Sequence, residues 1–511
     1  MHGTELFDLL VIGGGINGTG IARDAAGRGL RVALIEQADL GAFTSSASTK
    51  LIHGGLRYLE YGEFRLVRES LAERERLLAI APHIVHPLRL VLPHSAQQRP
   101  RWMIRLGLFA YDHLGGRTQL PSSTRIQLSH EPAGLALKPG FEHAFSYSDC
   151  TVDDSRLVVL NAMDASQRGA TILTRTRLTA AEATTTGWLA ECQNTLTGDK
   201  IHLHARVLVN AAAAWVNEVR ATLGLSAPQP VRLVQGSHIV VPRLFECEHA
   251  FLLQNSDKRV VFAIPYADRY TLIGTTDLPF HGNPCDVRIS AAEIAYLCET
   301  VNRYFKRSIA PADVVWSYSG TRALYDDGAA EASAVTRDYV LKLERDAVGN
   351  PVLSIIGGKI TTYRKLAEAA LRALQPWIGT AGAGWTDKQP LPGGDLPGRD
   401  FSAFARDALR RWPFLAPATA HRMTRAYGTR LERILGSANS LEMLGESLGG
   451  GLTAAEVDYL QREEWALTAE DILWRRSKLG LAMADGETRQ LELYLQTAAA
   501  ARNPFIGVTK Q

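Results

Sequence analysis

Residues 7–36 read FDLLVIGGGINGTGIARDAAGRGLRVALIE, and this stretch decides the fold. Residues 7–12 form a mainly apolar run, as a buried parallel strand does. Gly13-Gly14-Gly15 breaks the run. The next segment sets Gly18, Ala22, Ala25 and Ala26 on one helical face, and Gly27 and Gly29 end that helix. A second strand over 31–35 closes on Glu36, an acid 18 residues beyond Gly18. Gly13-x-Gly15-x-x-Gly18 between a strand and a helix suits a dinucleotide. The glycines permit a tight turn, close approach to a pyrophosphate and tight helix–strand packing. The helix N-terminus offers free N–H groups and a positive dipole to the phosphates. Glu36 can accept hydrogen bonds from a ribose. With all these parts in register, a glycine-rich turn without a ligand is the minority reading. Asn17 and the run Thr44-Ser45-Ser46-Ala47-Ser48-Thr49 favour FAD over NAD, because such a loop offers hydroxyls to a long extended dinucleotide.

Outward from this opening, residues 57–78 read as helical with charges on one face, and 99–111 mix basic, aromatic and apolar residues. Asp153-Asp154-Ser155 looks like the N-cap of an apolar-periodic helix. From Thr171 the period becomes two. Residues 201–207 alternate, and Thr197-Gly198-Asp199 stands where a hairpin turn belongs. Strands are expected at 237–241, 260–264, 270–273 and 352–356. Ser290 and Glu293 make a capping box ahead of a helix with Ile294, Leu297 and Val301 on one face. Gly357-Gly358 breaks the last strand, and a helix starts near Thr361. Residues 379–398 are rich in Gly and Pro and read as a linker to a helical C-terminal region.

The chain has 511 residues, so two or three domains are expected. A net charge of +3 argues against a dedicated nucleic-acid binder. Cys150, Cys192, Cys247, Cys285 and Cys298 are scattered, with no Cys-x-x-Cys pair, so neither a disulfide framework nor a metal site is expected. The N-terminus lacks a basic leader and cleavage site, and no apolar run is long enough to span a membrane. Attachment to a membrane surface stays open. Residues 99–109 combine arginines with Trp102, Met103, Leu106 and Phe109, as surface-lying segments do, and a helix packed on the core with its arginines in water reads equally well.

Six motifs carry a family resemblance. They are GGGINGTGIARDAAGRGL (13–30), TSSASTKLIHGGLRYLE (44–60), Gln235-Gly236-Ser237-His238, IGTTD (273–277), SYSGTR (317–322) and GGKITTYRKLAE (357–368). In their order and number they resemble the aerobic FAD-dependent glycerol-3-phosphate dehydrogenases over essentially the whole chain. The resemblance implies an α/β protein with a glutathione-reductase-type FAD-binding fold, an inserted antiparallel-sheet substrate domain and a C-terminal helical domain. The FAD domain would comprise 1–85, 151–225 and 331–378, with an intervening helical or loop segment over 86–150. The substrate domain would span 226–330, the linker 379–398 and the helical domain 399–511. The implied reaction is oxidation of sn-glycerol 3-phosphate to dihydroxyacetone phosphate. Electrons would pass to ubiquinone or menaquinone, on the inner face of the cell membrane. A homodimer is compatible with the same picture. One departure stands out: these flavoproteins usually carry Ala-Thr-Gly-Pro-Trp after the second dinucleotide strand, where this chain reads Asn210-Ala211-Ala212-Ala213-Ala214-Trp215.

By the same resemblance, FAD would be held by Gly13, Gly14, Gly15, Asn17, Gly18, Glu36, Thr44, Ser45, Ser46, Ser48, Lys50, Leu51, Ile52, Gly54, Gly55, Leu178, Ala211, Trp215, Gly358, Lys359, Thr361 and Thr362. Arg57, Arg322 and Lys359 would clamp the phosphate, with Tyr58 and Thr361 as neutral donors. Arginine suits a phosphate because its planar fork donates two parallel hydrogen bonds. A helix starting near Thr361 would also aim its positive end, with Lys359, at a reduced flavin ring; an ordinary turn with Thr as N-cap is the plainer reading of the same residues. The hydroxyl proton needs a base, and two histidines sit in motifs. His53 in Ile52-His53-Gly54-Gly55 comes first and His238 second, although most histidines are structural. The alternatives are an oxygen-using oxidase, an amine or amino-acid oxidase, or a redox sensor without turnover.

Overall fold

The computed structural model describes residues 6–95, 100–225, 228–257, 259–326, 338–379 and 382–502. They fall into two compact units, Met1–Ile80 with Val85–Gln389, and Ala81–Ile84 with Pro390–Gln511.

The first unit holds two sheets. In the eight-stranded sheet, β1 (Leu6–Ile12) lies between β2 (Val32–Ile35) and the strand Lys200–Asn210, parallel to both. Thr171–Leu173 continues the parallel order beyond β2, and Pro351–Ile356 continues it on the other side. Leu9, Leu10 and Val11 have no exposed surface, because helices cover the sheet. Strand Lys200–Asn210 serves twice. Its first half pairs antiparallel with Gly187–Asn194, and its second half is a parallel neighbour of β1. The expected hairpin turn is there: the Asn194 N–H donates to the Asp199 carbonyl at 2.8 Å.

Helix α1 (Ile16–Gly27) packs on the helices Asp154–Gln167 and Tyr363–Ile378. Its buried Arg23 reaches Asp164 at 2.6 Å. The segment expected as a linker behaves differently over its first half. The Trp385 indole N–H donates to the Asp24 carbonyl at 3.2 Å, and the ring packs where a Cβ on Gly27 would come within 2.0 Å of it. A flat apolar ring over a glycine outweighs the surrounding glycines' preference for loop. Residues 380 and 381 lie outside the described residues.

The second, ten-stranded sheet contains Val231–Pro242, Trp316–Tyr325, Val260–Tyr266 and Tyr270–Gly274, as the inserted sheet was expected to. It also takes in the 86–150 region, which was expected to be helical or loop. Val85–His94 and His143–Val152 pair antiparallel over ten residues each. Pro87 and Pro93 within the first of these strands disguise it, since proline normally argues against a strand interior. Helix Ala291–Tyr304 covers the sheet with Leu297 and Val301, and its capping box forms as expected.

The stretch 57–78, expected to be helical, is helical in two pieces. A 3₁₀ segment, Leu56–Tyr61, ends at Gly62 with φ +73, and α2 (Phe64–Ile80) begins after it. Residues 101–114 form the helix α3 (Arg101–Leu114), which buries Ile104, Leu108 and Tyr111. Its outer face leaves Trp102, Leu106 and Phe109 at 67%, 61% and 57% exposure. Arg99 lies outside the described residues.

The second unit is helical, with Phe401–Arg411, Pro417–Tyr427, Ala454–Glu464 and Asp485–Arg502 as its longer helices. Glu456, fully buried, accepts from Arg422 and from the Tyr427 hydroxyl, both at 2.6 Å. Tyr427 and Tyr459 meet edge to face.

Candidate active site

The glycine turn after β1 is dictated by space. Gly13 adopts φ +115, and a Cβ on Gly18 would sit 1.9 Å from the Gly13 carbonyl oxygen. Glu36 closes the turn from the next strand. One carboxylate oxygen accepts from the Gly14 N–H at 2.6 Å and the other from the Ala38 N–H at 2.8 Å. Burial pushes the Glu36 carboxyl up, and these two donors pull it back.

Beside the turn lies a cavity of about 360 Å³. Gly13, Gly15, Glu36, Thr44, Ser45, Leu178, Ala211 and Trp215, all expected at the cofactor, line it together. So do Phe43, Thr176, Thr179 and Ala213, which sequence reasoning missed. The Leu178 strand gave the only hint of Thr176 and Thr179. Phe43 packs on Trp215 with ring centroids 4.5 Å apart. Ser45 Oγ accepts from the Ile16 N–H at 3.0 Å, which sets the hydroxyl loop across the start of α1. Asn17 donates to the Gly357 carbonyl at 3.1 Å, while its buried Oδ1 has no hydrogen-bond partner among the described residues. Ala213 takes φ +49, a left-handed conformation at the position where the usual family turn has glycine. The cavity, with Gly13 and Gly15 in its wall, and the orphaned amide oxygen of Asn17 fit an extended dinucleotide.

Not every expected cofactor residue faces this space. Lys50, 3% exposed, commits its ammonium to Asp154 at 2.8 and 2.9 Å, and Ser48 Oγ donates to the same carboxylate at 2.7 Å. Their side chains therefore brace the loop from behind. Ser46 Oγ turns back to the Phe43 carbonyl. Leu51 and Ile52 are buried in a two-residue strand against Cys150 and Thr151. Thr362 occupies the N-cap of the helix Tyr363–Ile378 without a side-chain cap bond.

A second cluster forms where residues 53–61 meet 357–362. The His53 N–H approaches Thr361 Oγ1 at 3.3 Å. Lys359 Nζ lies 3.8 Å from the Tyr58 ring centre and 3.5 Å from where a Cβ on Gly55 would be. Gly358 packs against Asn17, the second residue of α1. Burial and the Lys359 charge hold the His53 imidazole down to about 3. Arg57 lies over Tyr61, donating to its hydroxyl at 3.3 Å.

His238 and Arg322 belong to a third group. His238 is 2% exposed, stacked on Tyr318 at 4.8 Å, with Nε2 3.0 Å from Thr49 Oγ1. Burial, with Lys50 and Arg322 nearby, pushes its imidazole far down. Arg322 spans Gly236, pairs with Asp277 at 3.3 Å and donates to the Thr276 carbonyl. His53 is thus the partly exposed histidine of the two, and His238 the enclosed one.

The model of an FAD dependent oxidoreductase family matches residues 8–364, and that of the C-terminal domain of alpha-glycerophosphate oxidase matches 385–502. A glycerol-3-phosphate dehydrogenase of Pseudomonas aeruginosa is 53% identical, covering 96% of both chains. A D-erythritol 1-phosphate dehydrogenase of Brucella abortus is 50% identical, covering 94% of this chain and 96% of its own. The aerobic glycerol-3-phosphate dehydrogenase of Escherichia coli is 49% identical, covering 95% and 96%. Among solved structures, a glycerol-3-phosphate dehydrogenase of Bacillus halodurans complexed with FAD superposes with a TM-score of 0.78 at 25% identity, covering 98% of this chain and 91% of its own.

Proposed function

We propose, from the premise that this chain belongs to the FAD-dependent oxidoreductase family, that it oxidises sn-glycerol 3-phosphate to dihydroxyacetone phosphate. The observation that carries this reading is the second cluster: a neutral imidazole, a cation and hydroxyl donors gathered at the glycines of residues 54 and 55.

Bound FAD supplies the two-electron acceptor for hydride from C2 of the substrate. The chain's residues do the rest. Lys359, Arg57 and Arg322 attract the phosphate dianion, and Tyr58 and Thr361 add hydroxyls. His53 takes the C2 hydroxyl proton, so that the carbon leaves as a neutral ketone. Burial, and after it the Lys359 charge, depresses His53. A phosphate dianion on the clamp offsets the Lys359 part of that shift, so the base gains some strength when its substrate arrives. His238 acts as a wall and not as the base, because its ring is enclosed between Tyr318 and Gly274.

The test is bleaching of the flavin under anaerobic conditions. sn-Glycerol 3-phosphate should bleach it, and glycerol and glycine should not. The 50% identical D-erythritol 1-phosphate dehydrogenase makes that four-carbon ester the necessary comparison. Bleaching by it alone, with glycerol 3-phosphate inert, would overturn the substrate assignment.

The electrons then go to a quinone at a membrane surface. No helix among the described residues is long and apolar enough to cross a membrane. The outer face of α3 supports attachment from one side. Trp102, Leu106 and Phe109 repeat at helical spacing and stand exposed, with Arg101 beside them for anionic headgroups. Flotation with anionic liposomes should carry the protein upward, and a Trp102→Ser, Leu106→Ser, Phe109→Ser variant should stay below. Equal flotation of both would remove α3 from the account.

A further inference from the structure

Behind His53 lies a buried polar chain that the reaction itself does not use. The Gly54 N–H, one residue past the proposed base, donates to the Tyr111 hydroxyl at 2.8 Å and approaches Asp149 Oδ1 at 3.3 Å. The Tyr111 hydroxyl donates in turn to the Asp149 carboxylate, 2.7 and 2.8 Å from its two oxygens. Arg74 holds that carboxylate at 2.9 Å and also donates to the Ser148 carbonyl. Tyr111, Asp149 and Arg74 are 3%, 2% and 5% exposed.

A buried Arg–Asp pair adds little net stability over well-packed apolar side chains. What it fixes here is a direction. Three elements, α3, His143–Val152 and α2, converge on the amide of Gly54. From the opposite side, Thr361 holds the His53 N–H. The two sides share one origin, because Arg74 follows Glu73 on α2. Glu73 takes the Arg364 guanidinium at 2.6 and 2.8 Å, and Arg364 sits three residues beyond Thr361. One turn of α2 therefore sets the base loop through Arg74 and the Thr361 loop through Glu73. The close packing leaves Gly54 no alternative place, since an added Cβ would lie 2.5 Å from Leu71 and 2.7 Å from the Tyr111 oxygen.

We propose that Tyr111 and Asp149, anchored by Arg74, are positioning residues that fix His53 relative to the substrate hydroxyl. The proposal rests on the reading of His53 as the base. Neither side chain is assigned a contact with substrate or flavin; both act through the Gly54 backbone. Small displacements of a base cost rate because proton transfer depends steeply on distance and alignment.

The test uses the flavin-loaded full chain. Tyr111→Phe removes one oxygen and keeps the ring. Flavin reduction by saturating sn-glycerol 3-phosphate should slow about tenfold, with FAD content unchanged. The solvent deuterium isotope effect on that step should rise, because a misplaced base makes proton transfer more limiting. A purely structural role would lower the melting temperature and leave both the reduction rate and the isotope effect at parental values; that result overturns the proposal. Asp149→Asn should give the larger slowing, and where it fails to fold, Tyr111→Phe decides alone. His53→Ala separates the two readings. Parental flavin reduction in His53→Ala removes the base assignment itself. A slow His53→Ala beside a parental Tyr111→Phe removes only the positioning role.

Discussion

The dinucleotide cavity and the base–clamp cluster are neighbours built in opposite ways. The bond that closes the glycine turn, Gly14 to Glu36, joins residues 22 apart. The bond that fixes the base loop, His53 to Thr361, joins residues 308 apart. The first is written in one contiguous stretch, and its residues are constrained by backbone contact with each other. The second exists only after the sheets and helices have brought distant loops together. Local construction makes a site legible in the sequence. Long-range construction makes it tunable through residues that never touch the substrate.

The largest effect should come from breaking the local half. Gly18→Ala puts a methyl carbon 1.9 Å from the Gly13 carbonyl, where neither backbone can yield. The purified variant should carry no visible flavin absorbance; a yellow Gly18→Ala protein would mean that the turn is softer than its packing. In the long-range half, His53→Ala should slow flavin reduction by about 10²–10⁴-fold with flavin retained. Arg322→Ala should raise KM for glycerol 3-phosphate by about ten- to a hundredfold, the worth of roughly 1.5–3 kcal/mol for a charge-assisted hydrogen bond. An unchanged KM would leave Arg322 to Asp277 alone. Smaller still is the effect of pH on the free enzyme. A histidine depressed to about 3 stays neutral throughout physiological pH, so kcat/KM should show no acid limb from His53 between pH 5 and 8. Stability behaves accordingly: the depressed histidine's contribution is whole above its ordinary value near 6.5 and is lost as pH falls towards 3. An inflection near 6.5 that His53→Gln abolishes would show an ordinary, hydrated imidazole. The smallest effect sharpens the local half again. Ala213→Gly relieves a left-handed alanine, and against glycine's larger unfolded entropy the net gain is under about 1 kcal/mol. A rise in the denaturant midpoint of the holoprotein checks it.

The contrast also explains what could be read from the residues. The βαβ opening, the capping box at Ser290 and the hairpin at 194–199 follow from periodicity and turn chemistry, so they were visible. Strand Val85–His94 was hidden by two prolines, and the helix break at Gly62 by charged residues on both sides of it. Lys50 sits in a motif beside the flavin loop, and no sequence rule says that Asp154, a hundred residues on, claims its ammonium. Tyr111 and Asp149 carry no motif at all. Their importance lies in meeting one backbone amide, which only the folded chain arranges. Thr176, Thr179 and Phe43 were missed for a related reason: lining a cavity asks little of residue type.

The doubled use of strand Lys200–Asn210 has a consequence for how the chain is made. Its partner β1 leaves the ribosome first, and Pro351–Ile356, which flanks its other edge, follows roughly 340 residues later. Synthesis proceeds at about 5–20 residues per second, so the first strand waits on the order of 20–70 s for its sheet to be completed. Through that interval the hairpin of 187–210 can form by itself, because its contacts are local. It holds the central strand in shape while the rest of the sheet is still being translated.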